Sequence, residues 1–271
     1  MKKNISIIIG GFYRSGTSLL RRLLDSHSRI HCGPEVKFFR DFYGDYQKDE
    51  LRHVRLFSTL ATLGLTEEEM LSIFGQAFVK SHEIAASKAN KVRWADKNPE
   101  NVLYLRQWDQ LLPDGFIFLR ILRDPLDTLA SLKEIGFHKT VPADFADKVR
   151  LLKNFLDVGE AYVVENSERS VTLHYESIVQ SPLTTLEYLF SWLGETFKPE
   201  VLERFSLLER GEGIEDPKVK MSQNIHAHSI GRWRRDLTKR EIYIARSILY
   251  EKNEISSKRN KYFPLSFFSI K

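Results

Sequence analysis

The sequence holds one cysteine, Cys32, in 271 residues. An internal disulfide is therefore excluded, which points to a reducing compartment or a fold that needs none. No run of about eighteen apolar residues occurs, so no membrane span is expected. Two N-terminal lysines lead into a short isoleucine-rich run, but Gly-Phe-Tyr-Arg follows where a signal peptide would offer a small-residue cleavage site. These absences predict a soluble, cytoplasmic protein. His226 and His228 have no Cys or carboxylate near them at ligand spacing, so no metal is expected. No repeat, low-complexity tract or linker interrupts the chain, and residues 1–271 are read as a single domain.

Charge of neither sign dominates, but it is unevenly placed. The net charge is +5, yet residues 218–271 carry 13 Lys/Arg against 4 Asp/Glu. A basic C-terminal fifth suits an anionic ligand or acidic partner, and Arg232, Arg234 and Arg235 around Trp233 form its tightest group. No nucleic-acid partner is expected, and the sequence sets no oligomeric state.

Short apolar runs at 5–10, 116–122 and 171–175 read as buried parallel strands, with a weaker candidate at 92–95. Helical patterns lie between them, as in βαβ architecture. Thr66 and Glu69 form a capping box that starts a helix running to about residue 80. Pro99 and Pro125 sit at the first turns of helices over 99–111 and 125–135. Further helices are predicted over 17–27, 142–166, 182–193, 199–208 and 238–250, with a polar loop over 211–231. Tyr104, Trp108, Phe190 and Trp192 sit at helical spacing and are expected in the core.

One stretch is informative for what it lacks. The strand at 5–10 feeds a glycine turn that opens an amphipathic helix: Gly11, four residues, Gly16, then Thr17-Ser18. A P-loop would carry lysine where Thr17 stands. A glycine-rich turn before a helix points backbone N–H groups at an anion, and the helix dipole adds to the attraction. Ser15, Thr17 and Ser18 offer hydroxyls, and Arg14 can grip an oxyanion with two N–H groups. A merely structural turn explains Gly10, Gly11 and Gly16 but not this concentration of Arg, Ser and Thr. A second cluster, Arg123-Asp-Pro, ends a predicted strand at the edge where open α/β sheets bind ligands. Ser131 lies about two turns into the next helix, so Arg123 and Ser131 form a candidate second phosphate grip.

Together these blocks resemble sulfotransferases. Tyr-Arg-Ser-Gly-Thr-Ser (13–18) is similar to that family's 5′-phosphosulfate loop, and Arg123-Asp-Pro with Ser131 to its 3′-phosphate motif. His-Tyr-Glu-Ser-Ile-Val-Gln-Ser-Pro (174–182) and Ser-Ile-Gly-Arg-Trp-Arg-Arg (229–235) resemble its two later blocks, in the same order. Within the family, Arg14 through Cys32-Gly33-Pro34-Glu35 follows the tyrosylprotein sulfotransferase branch without a gap. The resemblance implies a P-loop-like, three-layer α/β/α fold with a central parallel sheet. It implies sulfuryl transfer from 3′-phosphoadenosine 5′-phosphosulfate (PAPS) to a hydroxyl, without a metal, leaving adenosine 3′,5′-bisphosphate.

Residue by residue, the resemblance implies Glu35 as catalytic base, Lys97 of Asp96-Lys97-Asn98-Pro99 as transition-state partner with Arg14, and Ser222 as a further stabilising hydroxyl. It assigns Arg14, Ser15, Gly16, Thr17, Ser18, Arg123, Ser131, Tyr175 and Arg232 to the donor nucleotide, with Tyr175 near the adenine. Ile135 stands where the family has a second arginine twelve residues after the first, and no counterpart of the luminal branch's membrane anchor and disulfides is expected. His31 and His138 are the alternative bases, because other branches use histidine. The acceptor is left as a peptide tyrosine, a glycan or a small phenol; Phe38, Phe39, Phe42 and Tyr43 could line a pocket for the last. Two other readings stay open: a P-loop kinase, which predicts the lysine that Thr17 replaces, and a non-catalytic nucleotide-binding protein on the same fold.

Overall fold

A computed structural model describes residues 4–43, 59–135, 140–207 and 225–250. Among these residues, five strands form one all-parallel sheet. They are β1 (Ile7–Gly11), β2 (Ile30–Cys32), β3 (Arg93–Lys97), β4 (Ile117–Leu122) and β5 (Ser170–His174), in spatial order β2-β3-β1-β4-β5. β1 is central, with Ile7 paired to Ala95 on one side and Ile117 on the other. Every residue of β1, β3 and β4 is buried, as expected of a parallel sheet covered on both faces.

Helices cover both faces. Ile7, Ile9, Leu119, Ile121 and Leu173 point to one side, where they meet α1 (Thr17–Asp25) through Leu20, Leu23 and Leu24. Tyr175 and Ile178 of α7 (Tyr175–Gln180), Leu189 and Phe190 of α8 (Pro182–Trp192) and Val201 of α9 (Glu200–Leu207) complete that layer. On the other side Ile8, Trp94 and Phe118 meet α2 (Phe38–Tyr43), α3 (Glu67–Lys88), α4 (Leu105–Leu111), α5 (Pro125–Ile135) and α6 (Phe145–Glu165). Each leucine withdrawn from water there stabilises the fold by about 1.5–3 kcal/mol before entropy is counted. Two short C-terminal helices, α10 (Trp233–Asp236) and α11 (Lys239–Leu249), add Trp233 and Ala245 to the second core. The result is the three-layer α/β/α fold expected from the sequence.

Some element boundaries differ from expectation. β2 was not predicted, because Ile-His-Cys is too short to show a period. The capping box at Thr66 and Glu69 is present, but α3 continues to Lys88. The segment after Pro99 is a 3-10 turn (Pro99–Tyr104) before α4 rather than one helix. The Asp144 side chain caps α6 by accepting from the Asp147 N–H, so that helix starts at Phe145 rather than at residue 142.

The order places a topological switch at the carboxyl ends of β1 and β4. From β1 the chain crosses to β2 on one side; from β4 it crosses to β5 on the other. Ligands of open α/β sheets bind in the crevice at such a point. The glycine turn follows β1, and Arg123 follows β4.

Candidate functional site

The turn after β1 is built by backbone constraint. Gly16 has φ of 102°, and a Cβ there would lie 2.6 Å from Cδ2 of Tyr175. A Cβ on Gly11 would lie 2.6 Å from the carbonyl oxygen of Ile121 on β4. Both positions thus require glycine, one for conformation and both for space. Arg14 is also left-handed, at φ 67°, although it is not glycine. Such a residue carries strain that its surroundings must hold. Ser15 Oγ donates to the Phe12 carbonyl at 2.5 Å, and Arg123 Nη1 donates to the Arg14 carbonyl at 2.9 Å. Gly16 is the N-cap of α1 and supplies no side chain to cap it, so that helix end suits an anion.

The two motif clusters meet here, although more than a hundred residues separate them. Arg14 Nε donates to Ser131 Oγ at 3.1 Å. Arg123 is buried, stacks its guanidinium 4.6 Å from the Tyr175 ring centroid, and donates to the Ser229 carbonyl at 2.7 Å. Its Nε finds no hydrogen-bond partner among the described residues. Burial pulls the Arg123 pKa down, against the pull of Tyr175 and Asp127. Ser15, Thr17, Ser18, Ser131 and Tyr175 are all buried around the turn. A buried cation with an orphaned N–H, beside an uncapped helix end and buried hydroxyls, fits a phosphate-bearing ligand.

Lys97 brings an ammonium to the turn, which carries Arg14 but no lysine. It ends β3, next to β1, and its Nζ reaches Ser18 Oγ at 3.3 Å and Glu35 Oε2 at 2.5 Å. The Lys97 side chain is 1 % exposed and that of Glu35 11 %. An ammonium so buried needs its partner, because desolvation alone costs several kcal/mol. Asn98 Nδ2 donates to the Val36 carbonyl at 3.2 Å and fastens the Glu35 segment to the end of β3. Lys37 Nζ stands 4.0 Å from Glu35 Oε1, so two cations flank that carboxylate.

Other predicted residues fall elsewhere. Arg232 lies near the site but pairs with Glu134 at 2.8 Å and Asp236 at 2.7 Å. Its backbone segment is held by Asp127, whose two oxygens accept from the N–H groups of Gly231 (2.7 Å) and Trp233 (3.0 Å). Ser222 and His138 lie outside the described residues. His31, the alternative base among the described residues, faces Asp25 at 3.4 Å. Phe39 and Phe42 are core residues packed against Tyr104, Trp108 and Phe74, so two of the four aromatics that could line a pocket belong to the core, with Phe38 and Tyr43 half-buried beside them. Trp108 and Phe190 are fully buried, as expected, with Tyr104 and Trp192 packed against the core.

Sequence reasoning missed Asp127, Lys37 and Glu100. Asp127 stands two residues after the Arg123-Asp-Pro cluster, in the first turn of α5, so a helix-face argument could have found it. Nothing local marks the other two. Among the described residues, no group of three or more His, Cys, Asp or Glu could hold a metal ion, and no helix is long and apolar enough to cross a membrane.

Residues 6–199 match the family model described as Sulfotransferase family. Protein-tyrosine sulfotransferase 2 of Gallus gallus is 24 % identical over 245 residues, covering 84 % of this chain and 62 % of its own length. Protein-tyrosine sulfotransferase 1 of Danio rerio is 22 % identical over 237 residues, covering 84 % and 65 %. The chain therefore spans somewhat under two thirds of these relatives. Among solved structures, the sulfotransferase domain of the Synechococcus PCC 7002 olefin synthase superposes with a TM-score of 0.58 at 21 % identity, over 92 % of this chain and 95 % of that one. Mouse sulfotransferase SULT7A1, complexed with PAP, gives 0.50 at 11 % identity over 96 % and 90 %. The structural likeness carries the fold alone. The family model spans the strands, the glycine turn, Glu35, Lys97 and Arg123, and by that match the chain belongs to the sulfotransferase family.

Proposed function

We propose that this protein transfers a sulfuryl group from PAPS to an acceptor hydroxyl, with Glu35 as general base. One observation carries the reading: Lys97 Nζ touches both Ser18 of the donor turn and Glu35, so a cation, an anion cradle and a carboxylate converge at one point. The first turn of α1, with Ser15, Thr17, Ser18 and Arg14, would hold the 5′-phosphosulfate. Arg123 and Ser131 would hold the 3′-phosphate, and Tyr175, stacked beside Arg123, would border the base. When bound, PAPS supplies an activated sulfuryl group on a phosphate leaving group.

The chain's own residues divide the remaining work. Glu35 accepts the acceptor's proton as the new oxygen–sulfur bond forms; a tyrosine hydroxyl, with a pKa near 10, loses its proton unaided only at alkaline pH. Lys97 and Arg14 stabilise the charge that develops on the departing phosphate oxygen, together with the backbone N–H groups of the turn. The low exposure of Lys97 keeps water from weakening that interaction. The names of the curated relatives favour a peptide tyrosine as acceptor. The burial of Phe39 and Phe42 in the core weakens one argument for a small phenol.

The test is transfer of sulfur-35 from labelled PAPS to tyrosine peptides, sugars and phenols. Glu35→Gln is expected to lower kcat by about 10²–10⁴-fold while binding adenosine 3′,5′-bisphosphate almost as wild type does. Unchanged transfer by that variant would remove Glu35 from the role of base.

A further inference from the structure

Beside the Glu35–Lys97 pair lies a second group of charges. Glu100, three residues after Lys97, is buried in the 3-10 turn, where its N–H donates to Asn98 Oδ1 at 3.0 Å. Its Oε1 accepts from the Tyr13 hydroxyl and from Arg40 Nη1, the latter at 2.5 Å. Arg40 Nη1 also lies 3.4 Å from the Tyr13 oxygen. Lys37 Nζ is 4.0 Å from Glu100 Oε1 and equally 4.0 Å from Glu35 Oε1. One buried carboxylate therefore receives a group from the donor turn and two from the segment that follows Glu35.

We propose that Glu100 is a positioning residue that fastens the donor turn, through Tyr13, to the base segment, through Arg40 and Lys37. The inference rests on the sulfotransfer reading of the same site. Three observations carry it. Tyr13 immediately precedes Arg14, whose left-handed φ of 67° must be held from outside the residue. The Tyr13 ring is itself buried against Phe12 and Phe155, so its hydroxyl can swing little. Burial and the neighbouring Glu100 push the Tyr13 phenol far above its usual range, so it remains a proton donor to that carboxylate. A buried carboxylate costs several kcal/mol unless paired, and here its partners come from both halves of the site.

The test reads affinity for adenosine 3′,5′-bisphosphate by calorimetry, with melting temperature as the control for folding. Glu100→Gln and Tyr13→Phe are each expected to weaken binding about 10-fold, the scale of one charge-assisted hydrogen bond. The double variant is expected to lose little more than either single one, because both break the same link. A lower melting temperature with affinity within about two-fold of wild type, or fully additive losses, would overturn the proposal and leave Glu100 a packing residue. If Glu100→Gln does not fold, Tyr13→Phe alone decides by the same two thresholds. Wild-type protein that binds no bisphosphate would sink the sulfotransfer reading and this inference with it, whereas binding that the variants leave unchanged sinks this inference alone.

Discussion

At the scale of single residues, the site is a set of local costs that neighbours offset. Gly16 is one: its φ of 102° and the 2.6 Å approach to Tyr175 leave no room for a side chain. Gly16→Ala is expected to destabilise the protein by about 2–4 kcal/mol in urea unfolding, because strain and overlap add. Asp124 is another. Burial, opposed by the Asp127 N–H and reinforced by the charges of Asp127 and Glu176, raises its carboxyl from 3.8 to about 6. A group that holds its proton more tightly when folded contributes stability below its unfolded value and loses it as pH rises through the folded one. The stability of wild type relative to Asp124→Asn should therefore fall by about 2–3 kcal/mol between about pH 4 and pH 7. A difference that stays flat across this window in urea titrations would contradict the assignment.

Elements are joined at the site by side chains that satisfy backbone groups. Asp127, on α5, is buried and accepts from the N–H groups of Gly231 and Trp233, so it ties the C-terminal basic segment to the helix behind Arg123. Asp127→Ala leaves both N–H groups without that acceptor. We expect a loss of about 2–4 kcal/mol and faster hydrogen exchange at those two amides than elsewhere in the core. β3 shows the same principle from the sequence side. It reads weakly because Arg93, Asp96 and Lys97 break the apolar run, yet all are buried. Arg93 pairs with Glu195 at 3.2 Å, Asp96 accepts from Asn101 at 2.7 Å, and Lys97 meets Glu35. The partners of Arg93 and Lys97 lie 102 and 62 residues away, so no local pattern could mark this strand as buried.

For the molecule as a whole, the switch between β1 and β4 gathers Arg14, Lys97 and Arg123 at the carboxyl edge of the sheet. The sulfotransfer reading predicts stabilisation by adenosine 3′,5′-bisphosphate without added metal. At about a hundred times its Kd the ligand should raise the melting temperature by about 5–10 °C. ATP with magnesium should shift it far less. The reverse ranking in a thermal-shift titration would favour the kinase reading, whose lysine is absent from the turn.

The sequence by itself determined the glycine turn and the layers that present it. Glycine spacing, apolar strand runs, the Thr66 capping box and first-turn prolines are local signals, and each acts within a few residues of chain. The meeting of distant groups was left to the tertiary structure. Only parallel pairing of β3 with β1 brings the Lys97 ammonium beside Ser18, where a P-loop's own lysine is missing. Only the crossing from β3 to β4 sets Arg123 against the Arg14 carbonyl and lets Ser131 meet the Arg14 side chain. The same packing turned Phe39 and Phe42 into core and Arg232 toward Glu134 and Asp236. The physical reason is that a buried charge or ring takes its meaning from what surrounds it, and those surroundings come from remote parts of the chain.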